Sequence, residues 1–162
     1  MPSTEKVQNT HIGAQIRALH GALLDIVAVI NQPQRDAHMV KAAGIPLDRA
    51  LFPLLVCVER FGPIGVVDLA DRIGRDYTTV SRQMAKLESL GLIARRPSAT
   101  DRRVSAAIIA PKGKAMTDAV DAARERMGRT IFKDWDSRDV EELVRLTRKF
   151  ADAIKGEPPQ SG

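Results

Sequence analysis

A chain of 162 residues with 44% hydrophobic content can bury a real core as one domain, or as one domain with an appended dimerisation layer. Its single cysteine excludes an intrachain disulfide and a Cys-rich metal framework, so nothing asks for an oxidising compartment and the cytoplasm is the expected location. The net charge of +5 is unevenly placed: between Arg72 and Lys114 ten basic side chains meet three acidic ones, which leaves the remainder of the chain slightly negative. Positive charge gathered this way suits a docking face for a polyanion.

Residues 1–10 are polar and are expected to be a disordered N-terminus. From Ile12 the apolar residues Ile16, Leu19, Leu23, Ile26, Val27 and Ile30 recur at three- and four-residue steps, a long amphipathic helix ended by "NQPQ". Its most apolar run, Ala18–Ile30, is interrupted by His20 and Asp25 and falls short of the ~20 residues of a membrane span. No signal-peptide pattern precedes it, so no membrane partner is expected. A short helix over Arg35–Ala43 closes at Gly44, and the pair makes an N-terminal dimerisation segment over 11–45. The run "LDRALFPLLVCVERFG" is helical, with Pro53 either kinking it or marking its true start.

The stretch "VVDLADRI", then Gly74-Arg75-Asp76, then "YTTVSRQMAKLESL" stopped by Gly91 reads as helix, three-residue turn with glycine, helix. Asp76 suits the N-cap, because its carboxylate accepts from free first-turn amides and favours the positive end of the dipole. In the second helix Val80, Met84 and Leu87 share one side, leaving Thr78, Arg82, Ala85, Lys86 and Ser89 on the other. That outer face is small, polar and basic. "LIARR" and "VSAAIIA" are strand-like and flank the turn-forming "PSATDRR", a basic-tipped hairpin after a helix-turn-helix, which is a wing. The winged helix-turn-helix is expected over 46–110.

Pro111 opens the next helix, running through "GKAMTDAVDAARERMGRTIFKDW", and Asp136 or Ser137 caps the last. There Val140, Leu143, Val144, Thr147, Phe150, Ala151 and Ile154 form the cleanest helical stripe in the chain. These C-terminal helices, 111–155, complete the dimerisation layer, and 156–162 is a disordered tail. The whole is mainly α with a small antiparallel β-hairpin.

This order of parts resembles the MarR (multiple-antibiotic-resistance regulator) family of winged helix-turn-helix transcription regulators, with matching features over about 12–154. "DLADRIGRDYTTVSRQMAKLESLGLI" and "DRRVSAAIIAPKG" carry the resemblance, with Asp101 and Arg103 matching the family's wing and Ile109-Ala110 replacing its usual Leu-Thr. The resemblance implies an obligate homodimer made by the first and last helices, bound to a roughly palindromic operator and usually released by a small ligand or oxidant. The residues point the same way. Terminal helices with wide apolar stripes suit burial against a second copy, and the basic centre suits double-stranded DNA, with two recognition helices ~34 Å apart.

The expected DNA-binding residues are Arg75, Tyr77, Thr78, Thr79, Ser81, Arg82, Lys86, Arg95, Arg96, Arg102 and Arg103, with Arg95, Arg96 and Arg102 directed at phosphate. Asp101 and Arg103 are expected to form a wing salt bridge that leaves the arginine tip for the narrow minor groove. An effector would lie where the dimer helices meet the winged domain, near Arg17, His20, Arg49 and Phe52.

Cys57 shares a helical face with Ala50, Leu54 and Phe61 and reads as a small core hydrophobe, the alternative being a thiol-based redox switch. His11, His20 and His38 are scattered without zinc-site spacing, so neither a metal nor a cofactor is expected. The chain has no Gly-rich phosphate loop, paired catalytic carboxylates or nucleophile elbow, which argues against an enzyme. A winged helix that docks another protein is the remaining alternative, but its outer helix face would then expose aromatic or Met anchors, and residues 78–89 expose none outward. The expected function is therefore a dimeric, sequence-specific transcriptional regulator, as a repressor that occludes a promoter.

Overall fold

The computed structural model describes the backbone of residues 4–156 and the side chains from His11 onward; the expected C-terminal tail lies outside the described residues save Gly156. The elements are α1 (Thr4–Ile30), α2 (Pro33–Ala43), α3 (Phe52–Phe61), β1 (Ile64–Gly65), α4 (Val66–Ile73), α5 (Tyr77–Ser89), β2 (Ile93–Pro97), β3 (Ser105–Ile109), α6 (Pro111–Ile131) and α7 (Ser137–Gly156). The chain divides into two compact units, one through Asp121 and one from Ala122.

In the first unit α1 starts at Thr4, well ahead of the apolar periodicity that begins at Ile12. The early residues lack Gly and Pro and include the good helix formers Glu5, Lys6 and Gln8, which apolar spacing cannot register. Between His11 and Ile30 every side chain is exposed save the half-buried Leu23. The apolar segment is also longer than the run from Ala18 indicates: His11–Ile30 meets the length and hydropathy of a bilayer-crossing helix. Pro53 falls in the first turn of α3, where its missing amide proton costs no helical bond, so it marks a start and not a kink.

The core gathers where α3, α4 and α5 pack with the sheet, around Leu54, Leu55, Val58, Leu69, Val80, Met84, Leu87 and Leu92, all fully buried. The sheet has three antiparallel strands in the order β1-β3-β2, one more than the expected hairpin. Ile64 and Gly65 pair with Ala107 and Ala106, and a two-residue strand is too short to leave an alternating pattern. Gly74 holds φ +68° between α4 and α5, the left-handed conformation that this turn requires and that costs glycine little. Gly113 is fixed by space instead: a Cβ there would lie 2.1 Å from the Leu92 carbonyl oxygen, so the first turn of α6 packs directly on the chain leaving α5.

In the second unit α6 ends at Ile131, short of Trp135, and Phe132 and Trp135 meet edge to face, 5.0 Å apart. Asp136 precedes α7 and accepts from the amide of Arg138 at 2.9 Å, which makes it the capping residue rather than Ser137. No residue of α7 is buried.

Candidate nucleic-acid interface

Helix α5 owes its orientation to its inner face. Val80, Met84 and Leu87 are each 0% exposed, and this stripe turns Tyr77, Thr78, Arg82, Ala85 and Lys86 outward to solvent. Thr79 and Ser81 stand half-buried at the margins. Asp76 caps the helix as expected: one carboxylate oxygen accepts from the Thr79 amide at 2.9 Å and the other from the Thr79 hydroxyl at 2.6 Å. The Thr79 hydroxyl therefore donates inside the cap, and this residue serves first to start the helix. The same bonds, with Arg82 nearby, hold the Asp76 carboxyl below its usual range. A carboxyl depressed in this way stabilises the fold above its ordinary value of ~3.9 and loses that contribution only as pH falls through the lower folded value.

The basic residues fall into two groups. Arg82, Lys86, Arg96, Arg102 and Arg103 are exposed, three of them along the wing and two on α5. Arg75 and Arg95 are engaged within the protein. Arg75 is partly buried in the turn, and one guanidinium nitrogen donates to the Ala50 carbonyl at 2.6 Å and to Gln83 Oε1 at 3.0 Å. It ties the approach to α3 to the middle of α5. Arg95 lies 3.3 Å from the Glu88 carboxylate with its side chain 26% exposed, yet its Nε lacks a well-directed hydrogen bond. Proximity without alignment makes this an electrostatic contact, joining the end of α5 to β2.

The wing is organised by backbone bonds. Ser98 N donates to Val104 O at 2.8 Å and Val104 N to Asp101 O at 3.0 Å. Asp101 and Arg103 do meet, though not as an ion pair between side chains: the Asp101 carboxylate accepts from the Arg103 amide at 3.0 Å. An Asx-type turn uses the short side chain to close the loop, leaving the guanidinium outside it. Lys112, one more cation of the basic stretch, donates to the Leu90 carbonyl at 3.1 Å and so closes the end of α5. Gln83 and Glu88 are partners that sequence reasoning misses, because nothing in linear spacing pairs them with Arg75 or Arg95.

The four residues named for an effector differ in burial and setting. Phe52 belongs to the core, 5% exposed, while Arg17 and His20 stand exposed on α1. Arg49 lines a cavity with Arg72 and Arg75, which the other three do not line. Cys57 is half-buried in α3, and burial pushes its thiol up while Arg72 partly offsets that rise. Among the described residues no three His, Cys, Asp or Glu side chains gather as they would around a metal.

A basic helix face beside a basic hairpin tip, both fixed to one core, is the geometry of a winged helix-turn-helix that presents α5 to a DNA groove. Comparison with known proteins agrees. The MarR family model matches residues 47–105. The chain is 34% identical over 110 residues to the uncharacterised HTH-type transcriptional regulator YxaD of Bacillus subtilis (strain 168), covering 65% of this chain and 77% of that protein. A MarR family protein from Bacillus stearothermophilus superposes with a TM-score of 0.69 at 19% identity, covering 88% of this chain and 97% of the other. RV1404 from Mycobacterium tuberculosis does so with a TM-score of 0.60 at 25% identity, covering 93% and 97%. From the helix-turn-helix and wing to these matches, the observations agree that this chain belongs to the MarR family of DNA-binding transcriptional regulators.

Proposed function

We propose that the protein is a cytoplasmic homodimer that binds an inverted-repeat operator, represses by occluding a promoter, and is released by a small-molecule effector. The observation that carries this reading is the outward face of α5, Thr78, Arg82 and Lys86, standing beside the exposed Arg102 and Arg103 of the wing. The helix suits base edges and adjoining phosphate, and the wing suits the neighbouring groove.

The dimer reading rests on exposed apolar stripes: Ile12, Ile16 and Leu19 with their followers on α1, and Leu143, Val144, Leu146 and Ile154 on α7. Such continuous faces are costly in water and favour a self-complementary, two-fold interface. Burial against a second copy, in preference to a bilayer, also accounts for the apolar length of His11–Ile30. A two-fold dimer places its recognition helices about one DNA turn apart, hence the inverted repeat.

Selection from random duplexes followed by footprinting tests the reading. The expected product is a two-fold symmetric site with half-sites ~10 base pairs apart, centre to centre. Placing that site over a reporter promoter should lower transcription in the presence of the protein. Recovery of no sequence above scrambled duplex at near-physiological salt would remove the specific-operator reading.

A further inference from the structure

Of the large apolar side chains on α5, Val80, Met84 and Leu87 are fully buried, whereas Tyr77 is 57% exposed. It is the sole tyrosine of the chain and takes the first position of the helix, directly after the capping Asp76. Side chains on an α-helix lean towards its N-terminus, so this ring projects past the start of α5 and away from the core beneath it. The remainder of the outward face is small or basic: Thr78, Arg82, Ala85, Lys86 and Ser89 are all exposed. Small residues let a helix sit deep in a groove, and in a helix-turn-helix the N-terminal residues of the second helix reach the base edges. Thr79 is engaged by the cap, its hydroxyl donating to Asp76 at 2.6 Å. The first turn therefore presents DNA with one aromatic ring beside the Thr78 side chain.

We propose that Tyr77 is a specificity-determining residue whose ring covers the 5-methyl group of a thymine in each operator half-site. The proposal rests on the reading of the chain as a two-fold operator-binding regulator and adds the base and the chemical group that this position selects. Most of what the major groove displays is hydrogen-bond donors and acceptors, and its apolar feature is the thymine methyl. A hydroxyl or a guanidinium suits the former. An aromatic face suits the latter, because it removes apolar surface from water and uses none of the hydrogen-bonding edge of the A·T pair. Uracil differs from thymine by that methyl alone, so exchanging the two deletes the contact while base pairing and backbone charge stay as they were. Arg82, the cation of the same face, reads acceptor atoms and phosphate, and its contribution is indifferent to the methyl.

The test is a uracil scan of the selected operator with the full chain. Each thymine is replaced in turn by deoxyuridine, in both half-sites together, and binding of wild type, Tyr77→Ala, Tyr77→Phe and Arg82→Ala is measured by fluorescence anisotropy at fixed salt. For wild type one thymine position should stand out, its loss weakening binding about fourfold per half-site, the factor for burying one methyl-sized group, and about fifteenfold for the symmetric exchange. Tyr77→Ala should bind the thymine operator more weakly and lose nothing further with uracil at that position. Tyr77→Phe keeps the ring and should match wild type, and Arg82→Ala should be weaker throughout yet equally sensitive to the methyl. Circular dichroism establishes that each variant folds, and the scan of wild type decides the matter even if one does not. The proposal is overturned if wild type is insensitive to uracil at every position. It is overturned too if Tyr77→Ala keeps the full sensitivity, which would assign the methyl to Thr78, or if Tyr77→Phe binds as weakly as Tyr77→Ala, which would assign the contact to the phenolic hydroxyl. Failure of wild type to select any operator removes the regulator reading and this contact with it, whereas a selected operator with a flat scan removes the contact alone.

Discussion

Helices α5 and α7 are both amphipathic, yet they meet opposite fates within this chain. The apolar stripe of α5 is sealed, with Val80, Met84 and Leu87 at 0% exposure, whereas α7 leaves Leu143, Val144, Leu146 and Ile154 in solvent, Val144 at 65%. The same sequence device thus serves two purposes. A stripe that finds its complement inside the chain fixes a helix, so that polar groups on the other side stand where a ligand can use them. One that does not is surface in search of a second molecule, because a continuous apolar face exposed to water costs roughly 25 cal/mol for each Å² left uncovered.

The comparison breaks most sharply at α7. If α7 forms the proposed dimer interface, introducing glutamates in place of Leu143 and Val144 together should leave the chain monomeric across the micromolar range and remove specific DNA binding, since charges cannot be buried unpaired at such a face. Sedimentation across a dilution series reads this directly. A wild-type chain that is already a well-folded monomer, or a double variant that remains dimeric, would mean that this stripe is not the interface. On the sealed side Leu87→Ala should lower unfolding free energy by ~2–5 kcal/mol, the cost of lost burial plus cavity, measured by denaturant titration at fixed protein concentration. A smaller loss would show that the core beneath α5 relaxes easily and positions the helix only loosely.

The outer side of α5 and the wing are next in size. Arg82→Ala should cost ~1–3 kcal/mol on the selected operator and flatten discrimination among major-groove variants. Arg103→Ala should weaken binding while preserving those preferences, and shrink the logarithmic salt slope by ~0.9 for each lost phosphate-like contact. Binding of both variants to operator and scrambled duplex at several salt concentrations separates them. If Arg103→Ala leaves affinity and slope untouched, the hairpin does not read DNA.

Much of this division was legible in the sequence, for a physical reason. Val80, Met84 and Leu87 recur at helical spacing, and Asp76 carries its capping chemistry in its own side chain, so local pattern sufficed to place and orient α5. The wing was visible for the same reason, through turn-forming residues between strand-like runs. The pairings that decide which arginines are available were not visible. Arg75 reaches Ala50, twenty-five positions away, and Arg95 meets Glu88 only because β2 folds back beside the end of α5. Charge counts seven such residues alike, whereas tertiary packing sorts them into exposed groups and internal ties. The strand Ile64–Gly65 was missed because two residues have no periodicity, and the early start of α1 because a polar helix has no stripe.

The smallest expected effect belongs to Cys57. Its helix α3 is packed on the sealed side of the comparison, and the half-buried thiol is pushed up by that burial, with Arg72 offsetting only part of the rise. A raised thiol pKa leaves less thiolate at neutral pH, and thiolate is the species that peroxide attacks, so the direction of the shift works against rapid oxidation. The chain also holds no second cysteine to resolve a sulfenic acid into an intrachain disulfide. Cys57→Ser should therefore leave the peroxide response of the protein–DNA complex unchanged, which a titration of peroxide into wild-type and variant complexes would measure. If wild type releases DNA at peroxide concentrations that spare the variant, Cys57 is a redox switch, and the packed side of α3 is more accessible than its burial indicates.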